Sequence, residues 1–272
     1  MYKKDFRLLS MNRVSTPELS FEQVLRIYQK VGYTAAGITF DDINEYGVDN
    51  AKQLISETKM TITHICFLGP FNQMTERDYQ VARSEDIKKI KIAEALGIRC
   101  ILALTGPPND LSEHMAEGQL IRSLTDLANH INKTGIKVGL EPIHYMYRHE
   151  WTYLHTLAKT LEIIDIVDQP YLGVFFDMYH LWQEPGLLDL IQNATGKIVG
   201  CHINDWRPIT RSLSDRTFMG EGCIPLKEII YALEKAGWDE WFDVEIISEE
   251  LSKMEPIAFL QTCRKKYNEL WD

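Results

Sequence analysis

Eight short runs of β-branched, aliphatic and aromatic residues recur along the chain, and segments with a helical spacing of apolar residues separate most of them. The runs lie near residues 6–12 and at 35–40, 60–67, 100–106, 137–142, 172–177, 198–204 and 241–247. They are apolar almost throughout, as in parallel strands that are covered on both faces. Parallel strands need long crossover connections, and the helical segments supply them. The sequence therefore predicts an α/β fold, a single (β/α)8 TIM barrel over residues 1–272.

Six of the intervening segments place apolar residues three and four positions apart, which predicts helices. They span residues 20–33, 48–58, 76–96, 111–134, 151–167 and 224–238. Glycine near the end of several of them fits the left-handed residue at which helices commonly stop: Gly32, Gly97, Gly135 and Gly237. Residues 205–224 show no clear periodicity, which predicts that the longest loop follows the seventh strand.

The composition is that of an ordinary globular chain, with 45% hydrophobic and 25% charged residues. A net charge of −10 disfavours nucleic-acid binding, because phosphate recognition rests on a basic field. No apolar run approaches the roughly 18 residues that a membrane helix needs, and no signal-peptide pattern follows the first lysines. We therefore expect a cytoplasmic protein with neither a nucleic-acid partner nor a membrane anchor. Five cysteines without a CxxC spacing indicate neither a disulfide framework nor a thiolate zinc site.

Each of the last four predicted strands carries a residue that can ligate a divalent metal. These residues are Glu141 in GLEPIH, Asp177 in GVFFDMYH, His202 in VGCHINDW and Glu245 in FDVEII. Any one of them alone could equally be a salt-bridge partner or a strand-end cap. In a closed barrel, however, the carboxyl ends of all strands face one mouth, so four together favour a single metal site. Two glutamates, an aspartate and a histidine suit Mn²⁺, Mg²⁺, Co²⁺ or Zn²⁺ without choosing among them.

The same strand ends resemble a known family. The strand ends carry four motifs: EP at 141–142, FDxxH at 176–180, HINDW at 202–206 and VEI at 244–246. These motifs are similar to those of the xylose-isomerase-like superfamily of sugar isomerases and epimerases, also called AP endonuclease family 2. The run DRxxxGEG at 215–222 resembles the loop before the last helix of that family. The resemblance covers nearly the whole chain. It implies that Glu141, Asp177, His202 and Glu245 bind one divalent metal ion. It also implies that Glu141 and Glu245 act as an acid/base pair on a hydroxy-ketone.

This chemistry is consistent on physical grounds. A metal that holds a carbonyl and the adjacent hydroxyl oxygen would stabilise the enediolate that forms when the carbon-bound proton leaves, and a nearby carboxylate can take that proton. Return of the proton to the opposite face of the same carbon inverts the configuration of that carbon. Return of the proton to the neighbouring carbon instead moves the carbonyl group. We therefore expect a metal-dependent isomerase or epimerase of a small keto-sugar or keto-polyol, similar to inosose isomerases. The absence of a Gly-rich phosphate cradle favours an unphosphorylated substrate.

Four further residues are candidates for binding the substrate. His180 matches the histidine of the family's DxxH, which reaches the substrate or supports the metal shell. Asp205 could orient His202 or contact the substrate, or it could cap a turn. His64 either faces the mouth from the third strand or is a core histidine, and Arg207 lies in a mouth loop.

Two departures separate the chain from particular branches of the family. Ketose 3-epimerases carry a second glutamate six residues after the first metal glutamate and an arginine six residues after the metal histidine. Here these positions are Tyr147 and Pro208, and Arg207 is the possible substitute for the arginine. The endonuclease IV branch uses additional histidines at earlier strand ends, of which only His64 could serve.

Several alternatives therefore stay open. They are a metal-dependent dehydratase of the inosose or 3-dehydroshikimate type, an abasic-site endonuclease and a non-catalytic sugar-binding barrel. In the leading interpretation the partner is a small sugar or polyol substrate. Assembly into a homo-oligomer is compatible with the sequence but is not indicated by it.

Overall fold

A closed barrel of eight parallel strands forms the centre of the molecule in the computed structural model, which describes residues 8–271. In chain order the strands are β1 (Leu9–Asn12), β2 (Ala35–Thr39), β3 (Thr61–Leu68), β4 (Cys100–Ala103), β5 (Lys137–Leu140), β6 (Leu172–Asp177), β7 (Ile198–Ile203), the short β8 (Asp205–Trp206) and β9 (Arg216–Thr217), and β10 (Phe242–Val244). The barrel is built from β1 to β7 and β10. Strand β10 closes it by pairing with both β7 and β1, and Met11 lies opposite Val244. The predicted (β/α)8 barrel is therefore confirmed.

Helices surround the barrel and supply the crossovers. They are α1 (Phe21–Val31), α2 (Phe40–Tyr46), α3 (Val48–Thr58), α4 (Glu76–Ala95), α5 (Glu113–Ile131), α6 (Leu157–Val167), α7 (Met178–Leu181), α8 (Leu187–Asn193), α9 (Leu226–Lys235) and α10 (Pro256–Glu269). In α1 the side chain of Ser20 accepts from the backbone of Gln23 and the Gln23 side chain accepts from the backbone of Ser20, so the helix begins with a capping box. It ends at Gly32, whose φ of 94° is readily adopted only by glycine.

Helix α6 begins later than its sequence pattern predicted. The apolar spacing suggested a start at residue 151, but residues 151–156 form hydrogen bonds to neighbouring loops, and Thr156 caps the helix. Gly106 N donates to Trp151 O, and Ile143 N donates to Leu154 O. This segment therefore forms part of the rim around the strand ends.

The loop predicted at residues 205–224 contains a small antiparallel ribbon. Strand β8 pairs with β9, with Asp205 opposite Thr217 and Trp206 opposite Arg216. The ribbon folds the loop back over the carboxyl end of the barrel. The first predicted strand began near residue 6, and Phe6 and Arg7 lie outside the described residues.

Glycine at two strand positions makes room inside the barrel for neighbouring rings. A Cβ added at Gly200 of β7 would come within 2.2 Å of the Phe175 ring, and one added at Gly37 of β2 would come within 2.3 Å of the His64 ring. Each ring therefore occupies space that a side chain on the neighbouring, paired strand would otherwise take. Among residues 8–271, no helix combines the length and apolar character that a membrane crossing requires.

Candidate active site

Three carboxylates and one imidazole converge at the carboxyl end of the barrel. His202 Nδ1 lies 3.1 Å from Glu141 Oε1, 3.5 Å from Glu245 Oε2 and 3.9 Å from Asp177 Oδ2. All four residues are buried. The structure thus brings together the four residues that the sequence predicted as metal ligands, and we call these four residues the ligand cluster.

The ends of four strands hold these side chains in place. Glu141 directly follows β5, and its backbone N donates to Ala103 O of β4. Asp177 is the last residue of β6, and its Oδ1 accepts from Tyr179 N and so caps α7. His202 of β7 lies opposite Asp177 in the strand register, and Glu245 directly follows β10.

The electrostatics of the cluster reflect burial and close opposite charges. Burial raises the pKa of Glu141 to about 7, although its contact with His202 opposes this rise. Burial disfavours a charged His202, but the carboxylates of Glu245, Glu141 and Asp177 outweigh burial and raise the pKa of His202 to about 10. The surroundings of His202 therefore strongly favour positive charge.

Arg216 is a buried member of the site that sequence reasoning did not assign. Its Nη1 donates to Glu245 Oε2 at 2.6 Å and to Asp177 Oδ2 at 3.0 Å, and its Nη2 lies 3.2 Å from His180 Nε2. The sequence signal was present, because Arg216 belongs to the DRxxxGEG run. Its position in the site could not be predicted, because Arg216 lies 14 residues after His202 and only the fold of the β8–β9 ribbon brings it back to the mouth.

A second buried group contacts the other side of the His202 ring. His202 Nε2 lies 3.1 Å from Asn12 Nδ2, 3.3 Å from His64 Nε2 and 3.7 Å from Asp243 Oδ2. Ser10 Oγ donates to Asp243 Oδ1, whereas Asp243 Oδ2 has no hydrogen-bond partner among the described residues. Of the two interpretations of His64, the structure places it in the core beneath the ligand cluster rather than at the mouth. Asn12 and Asp243 had no sequence signal of their own.

His180, the histidine of the DxxH run, lies beside Asp177. Its Nε2 is 3.5 Å from Asp177 Oδ2, and its Nδ1 has no hydrogen-bond partner within residues 8–271. The Tyr147 ring contacts the His180 ring edge-on, with ring centroids 5.5 Å apart. His180 therefore lies beside the ligand cluster with one buried ring nitrogen that has no partner among the described residues.

Asp205 and Arg207 have structural partners instead. The Asp205 carboxylate accepts from the backbone N–H groups of Trp206, Gly220, Gly222 and Ile224. Arg207 Nε donates to Asp215 Oδ1 at 3.1 Å, and its Nη2 lies 3.7 Å from Glu250. Of the interpretations open for Asp205, the structure places it as a turn cap that holds the loop before α9, and neither side chain lines the cavity described next.

A cavity of about 450 Å³ opens above the cluster, and we call it the mouth cavity. Glu141, His180, Arg216 and Glu245 line its polar side. The facing side is lined by residues of β3, β4 and the loop after β5. These are Cys66, Phe67, Leu102, Leu104, Ile143 and Trp151. The cavity is large enough for a small-molecule ligand, and further polar residues line it: Asp41, Asn44, Lys89 and Glu150.

The donor set suits a divalent cation. Glu141, Asp177 and His202 offer ligand atoms within 4.8 Å of one another, and Glu245 Oε2 lies 3.5 Å from His202 Nδ1. Arg216 is the buried guanidinium that offsets part of this negative charge. Mixed oxygen and nitrogen ligands of this kind fit Mn²⁺, Mg²⁺, Co²⁺ and Zn²⁺ alike.

The fold and the ligand cluster together define a class of protein. The chain belongs to the xylose isomerase-like TIM barrel family, which it matches over residues 25–263. This membership agrees with the resemblance carried by the strand-end motifs.

Individual relatives span nearly the whole chain. The inosose isomerase of Bacillus velezensis is 25% identical, and the match covers 94% of this chain and 94% of that protein. A solved structure from Sinorhizobium meliloti 1021 is 27% identical, with a TM-score of 0.93, and 98% of this chain and 99% of that chain are covered. The IOLI protein, solved with a binding zinc atom, is 22% identical, with a TM-score of 0.86 and coverage of 96% and 97%.

Proposed function

We propose that the protein is a divalent-metal-dependent isomerase or epimerase that acts on a small hydroxy-ketone of the keto-sugar or keto-polyol class. The observation that carries this proposal is the pair Glu141 and Glu245. Both carboxylates line the mouth cavity, they come from separate strands, and each lies within 3.5 Å of the same ring nitrogen of His202. The similarity to an inosose isomerase supports the same reaction class.

Glu141, Asp177, His202 and Glu245 would hold the metal, and the zinc atom of the similar IOLI structure supports such a site. A divalent cation at this position would stabilise the negative charge that develops on the carbonyl and hydroxyl oxygens of the substrate. We leave its identity open among Mn²⁺, Mg²⁺, Co²⁺ and Zn²⁺.

The protein's own groups account for the proton transfers. One of the carboxylates of Glu141 and Glu245 takes the proton from the carbon beside the carbonyl, and a carboxylate returns a proton to the same or the neighbouring carbon. Arg216 and His180 also line the mouth cavity, so their side chains can contact a substrate oxygen. These contacts would hold the reacting carbons between the two carboxylates.

The first test is deuterium exchange in D₂O, followed by proton NMR. The Mg²⁺-loaded protein would be mixed separately with inosose, ketoses and 3-dehydroshikimate. Metal-dependent loss of the proton beside the carbonyl, without loss of water, is the expected result. A new alkene signal would instead indicate a dehydratase, and cleavage of a fluorescent abasic duplex would indicate an endonuclease.

Glu245→Gln should reduce exchange by about 100-fold or more, because the amide cannot accept the carbon-bound proton. Glu240→Gln is the matched control, since it makes the same change at an exposed residue far from the mouth, and its rate should equal that of the parent. Undiminished exchange in Glu245→Gln would contradict the assigned role. Ligand binding without exchange in the parent protein would favour a non-catalytic sugar-binding barrel.

A further inference from the structure

His202 is the member of the ligand cluster whose ring has polar neighbours on both sides. Its Nδ1 faces the carboxylates of Glu141, Glu245 and Asp177, of which Glu141 is nearest at 3.1 Å. A ring nitrogen that ligates a metal carries no proton, so a His202 that binds through Nδ1 carries its proton on Nε2. The hydrogen bond made by Nε2 therefore decides whether Nδ1 is available to a metal.

Three groups surround Nε2 of His202 in the barrel interior. Asn12 Nδ2 lies at 3.1 Å, His64 Nε2 at 3.3 Å and Asp243 Oδ2 at 3.7 Å. Asn12 Oδ1 accepts from Val14 N, which orients the amide so that its donor nitrogen faces the two histidines. This nitrogen cannot accept a hydrogen bond, and Asp243 Oδ2 lies beyond hydrogen-bond distance. Among residues 8–271, His64 Nε2 is therefore the acceptor within reach of the Nε2–H group.

A chain of hydrogen bonds leads to the same assignment from its other end. Ser10 Oγ donates to Asp243 Oδ1, so its single hydrogen is not available to Thr63 Oγ1, which lies 3.3 Å away. Thr63 therefore donates to Ser10, and its oxygen accepts from His64 Nδ1 at 3.1 Å. A neutral imidazole has one proton, so a His64 that is protonated on Nδ1 has a bare Nε2. This bare nitrogen is the one that faces His202.

We propose that His64 is a positioning residue, which accepts a hydrogen bond from the Nε2–H group of His202 and so keeps His202 Nδ1 free to ligate the metal. The inference rests on the proposed function. Two hydroxyls and the Asp243 carboxylate hold His64 in the tautomer that this contact requires. In the opposite arrangement Asn12 would donate to His202 Nε2, and the proton of His202 would then lie on Nδ1 and block the proposed ligand.

Nitrogen NMR of the Zn²⁺-loaded protein locates these protons directly. Long-range proton–nitrogen correlation spectra distinguish metal-bound, bare and protonated ring nitrogens. We expect His202 to show a metal-bound Nδ1 and a protonated Nε2. We expect His64 to show a protonated Nδ1 and a bare Nε2. A proton on Nε2 of His64, or zinc held by Nε2 of His202, would overturn the inference.

The metal affinity of two His64 variants gives a second readout, by calorimetric Mn²⁺ titration. His64→Leu removes the acceptor, so Mn²⁺ affinity should fall by about tenfold or more, as is usual when a metal-binding histidine loses its outer partner. His64→Gln places an amide oxygen near the position of Nε2 and should restore most of the affinity. An unfolding measurement checks that each variant folds. Parental Mn²⁺ affinity in folded His64→Leu would contradict the assigned role.

Thr63→Val tests the chain while both histidines stay in place. Valine has the shape of threonine but lacks the hydroxyl, so His64 loses the acceptor that holds its proton on Nδ1. Mn²⁺ affinity should then fall by about threefold or more. Thr63→Ser is the matched control, because it keeps the hydroxyl and should bind Mn²⁺ like the parent. If His64 only filled space, the two Thr63 variants would bind Mn²⁺ equally, and that result would count against the inference.

The deuterium-exchange assay separates this inference from the proposed function. Substrate exchange by a parent protein whose His64 carries its proton on Nε2 would overturn the inference and leave the proposed function standing. The expected tautomers without exchange of any substrate would overturn the proposed function alone. A parent protein that bound neither Zn²⁺ nor Mn²⁺ would overturn both.

Discussion

At the scale of single residues, Arg216 brings a positive charge into the ligand cluster. Its Nη1 contacts Asp177 and Glu245, which are two of the four proposed metal ligands. A guanidinium stays protonated at any physiological pH, so it holds a fixed positive charge among these carboxylates. The same carboxylates therefore interact with Arg216 and with any bound cation.

Replacing this charge should strengthen metal binding. Arg216→Met keeps the apolar stem but leaves Asp177 and Glu245 without their cation, so we expect Mn²⁺ affinity to rise by about tenfold, equivalent to about 1.4 kcal/mol. The metal-free variant should be destabilised by about 3 kcal/mol, because two buried carboxylates lose their partner. Calorimetric Mn²⁺ titration and denaturant unfolding measure the two effects.

Arg207→Met is the matched control for this variant. Arg207 pairs with Asp215 and Glu250 outside the cluster, so its loss should leave Mn²⁺ affinity unchanged. Weaker Mn²⁺ binding by Arg216→Met would mean that the guanidinium orients the ligands rather than offsetting their charge.

The sequence predicted which residues gather at the site better than it predicted their supporting partners. Glu141, Asp177, His202 and Glu245 could be nominated because a barrel brings strand ends together whatever the loop lengths. Arg216 and Asp205 depend on how one loop folds back on itself. Asn12, His64 and Asp243 support His202 through the barrel interior, where a strand pattern gives the facing direction only after its register is known.

At the scale of elements, the segment between β5 and α6 forms much of the rim of the mouth cavity. His155 fastens this segment, because its Nδ1 lies 2.9 Å from Ile143 O and its ring contacts Tyr145 edge-on. Burial lowers the pKa of His155 below 6.5, although the hydrogen bond to Ile143 O raises it in part. Smaller influences come from His144, Glu113 and Arg148.

This shift predicts the direction of a pH dependence. Between the folded and unfolded pKa values, the folded state binds fewer protons at His155 than the unfolded chain. The contribution of His155 to stability is therefore complete above about pH 6.5 and is lost as the pH falls through the folded value. His155→Asn should flatten the decline in the free energy of unfolding between about pH 7.5 and pH 5.

Urea unfolding of the metal-free protein at the two pH values measures the effect. His114→Asn changes an exposed histidine of α5 and should leave the pH dependence as in the parent. An equal decline in the parent and in His155→Asn would show that this residue does not report on the rim segment.

The elements themselves were predicted where their patterns were long. All eight barrel strands lie within about two residues of their predicted positions or inside them, and helices of eleven or more residues such as α1, α3, α4 and α5 were found. Helices α2, α7 and α8 span 7, 4 and 7 residues, too few turns to show a periodicity. Helix α10 has 14 residues and was not predicted, although its buried residues Phe259, Cys263 and Tyr267 are spaced four apart.

At the scale of the whole molecule, the proposed ligands join β5, β6, β7 and β10. A metal that binds only the folded protein stabilises it by mass action, by about 2.7 kcal/mol at a hundredfold excess over Kd. We therefore expect Mn²⁺ to raise the free energy of unfolding of the parent by about this amount. Glu141→Gln should respond much less at the same Mn²⁺ concentration, whereas Glu240→Gln should respond like the parent. An equal response of Glu141→Gln would place the Mn²⁺ elsewhere.

The closure of the barrel by β10 also has a consequence for the protein during its synthesis. Asn12 and Glu245 lie 3.3 Å apart although 233 positions separate them in the chain. In a nascent chain on the ribosome, Glu141, Asp177 and His202 are synthesised before Glu245. One edge of β1 also stays unpaired until β10 has been synthesised and has docked. Full metal affinity should thus be gained only when the last strand docks. Incorporation of the ion would then mark newly made molecules that have finished folding.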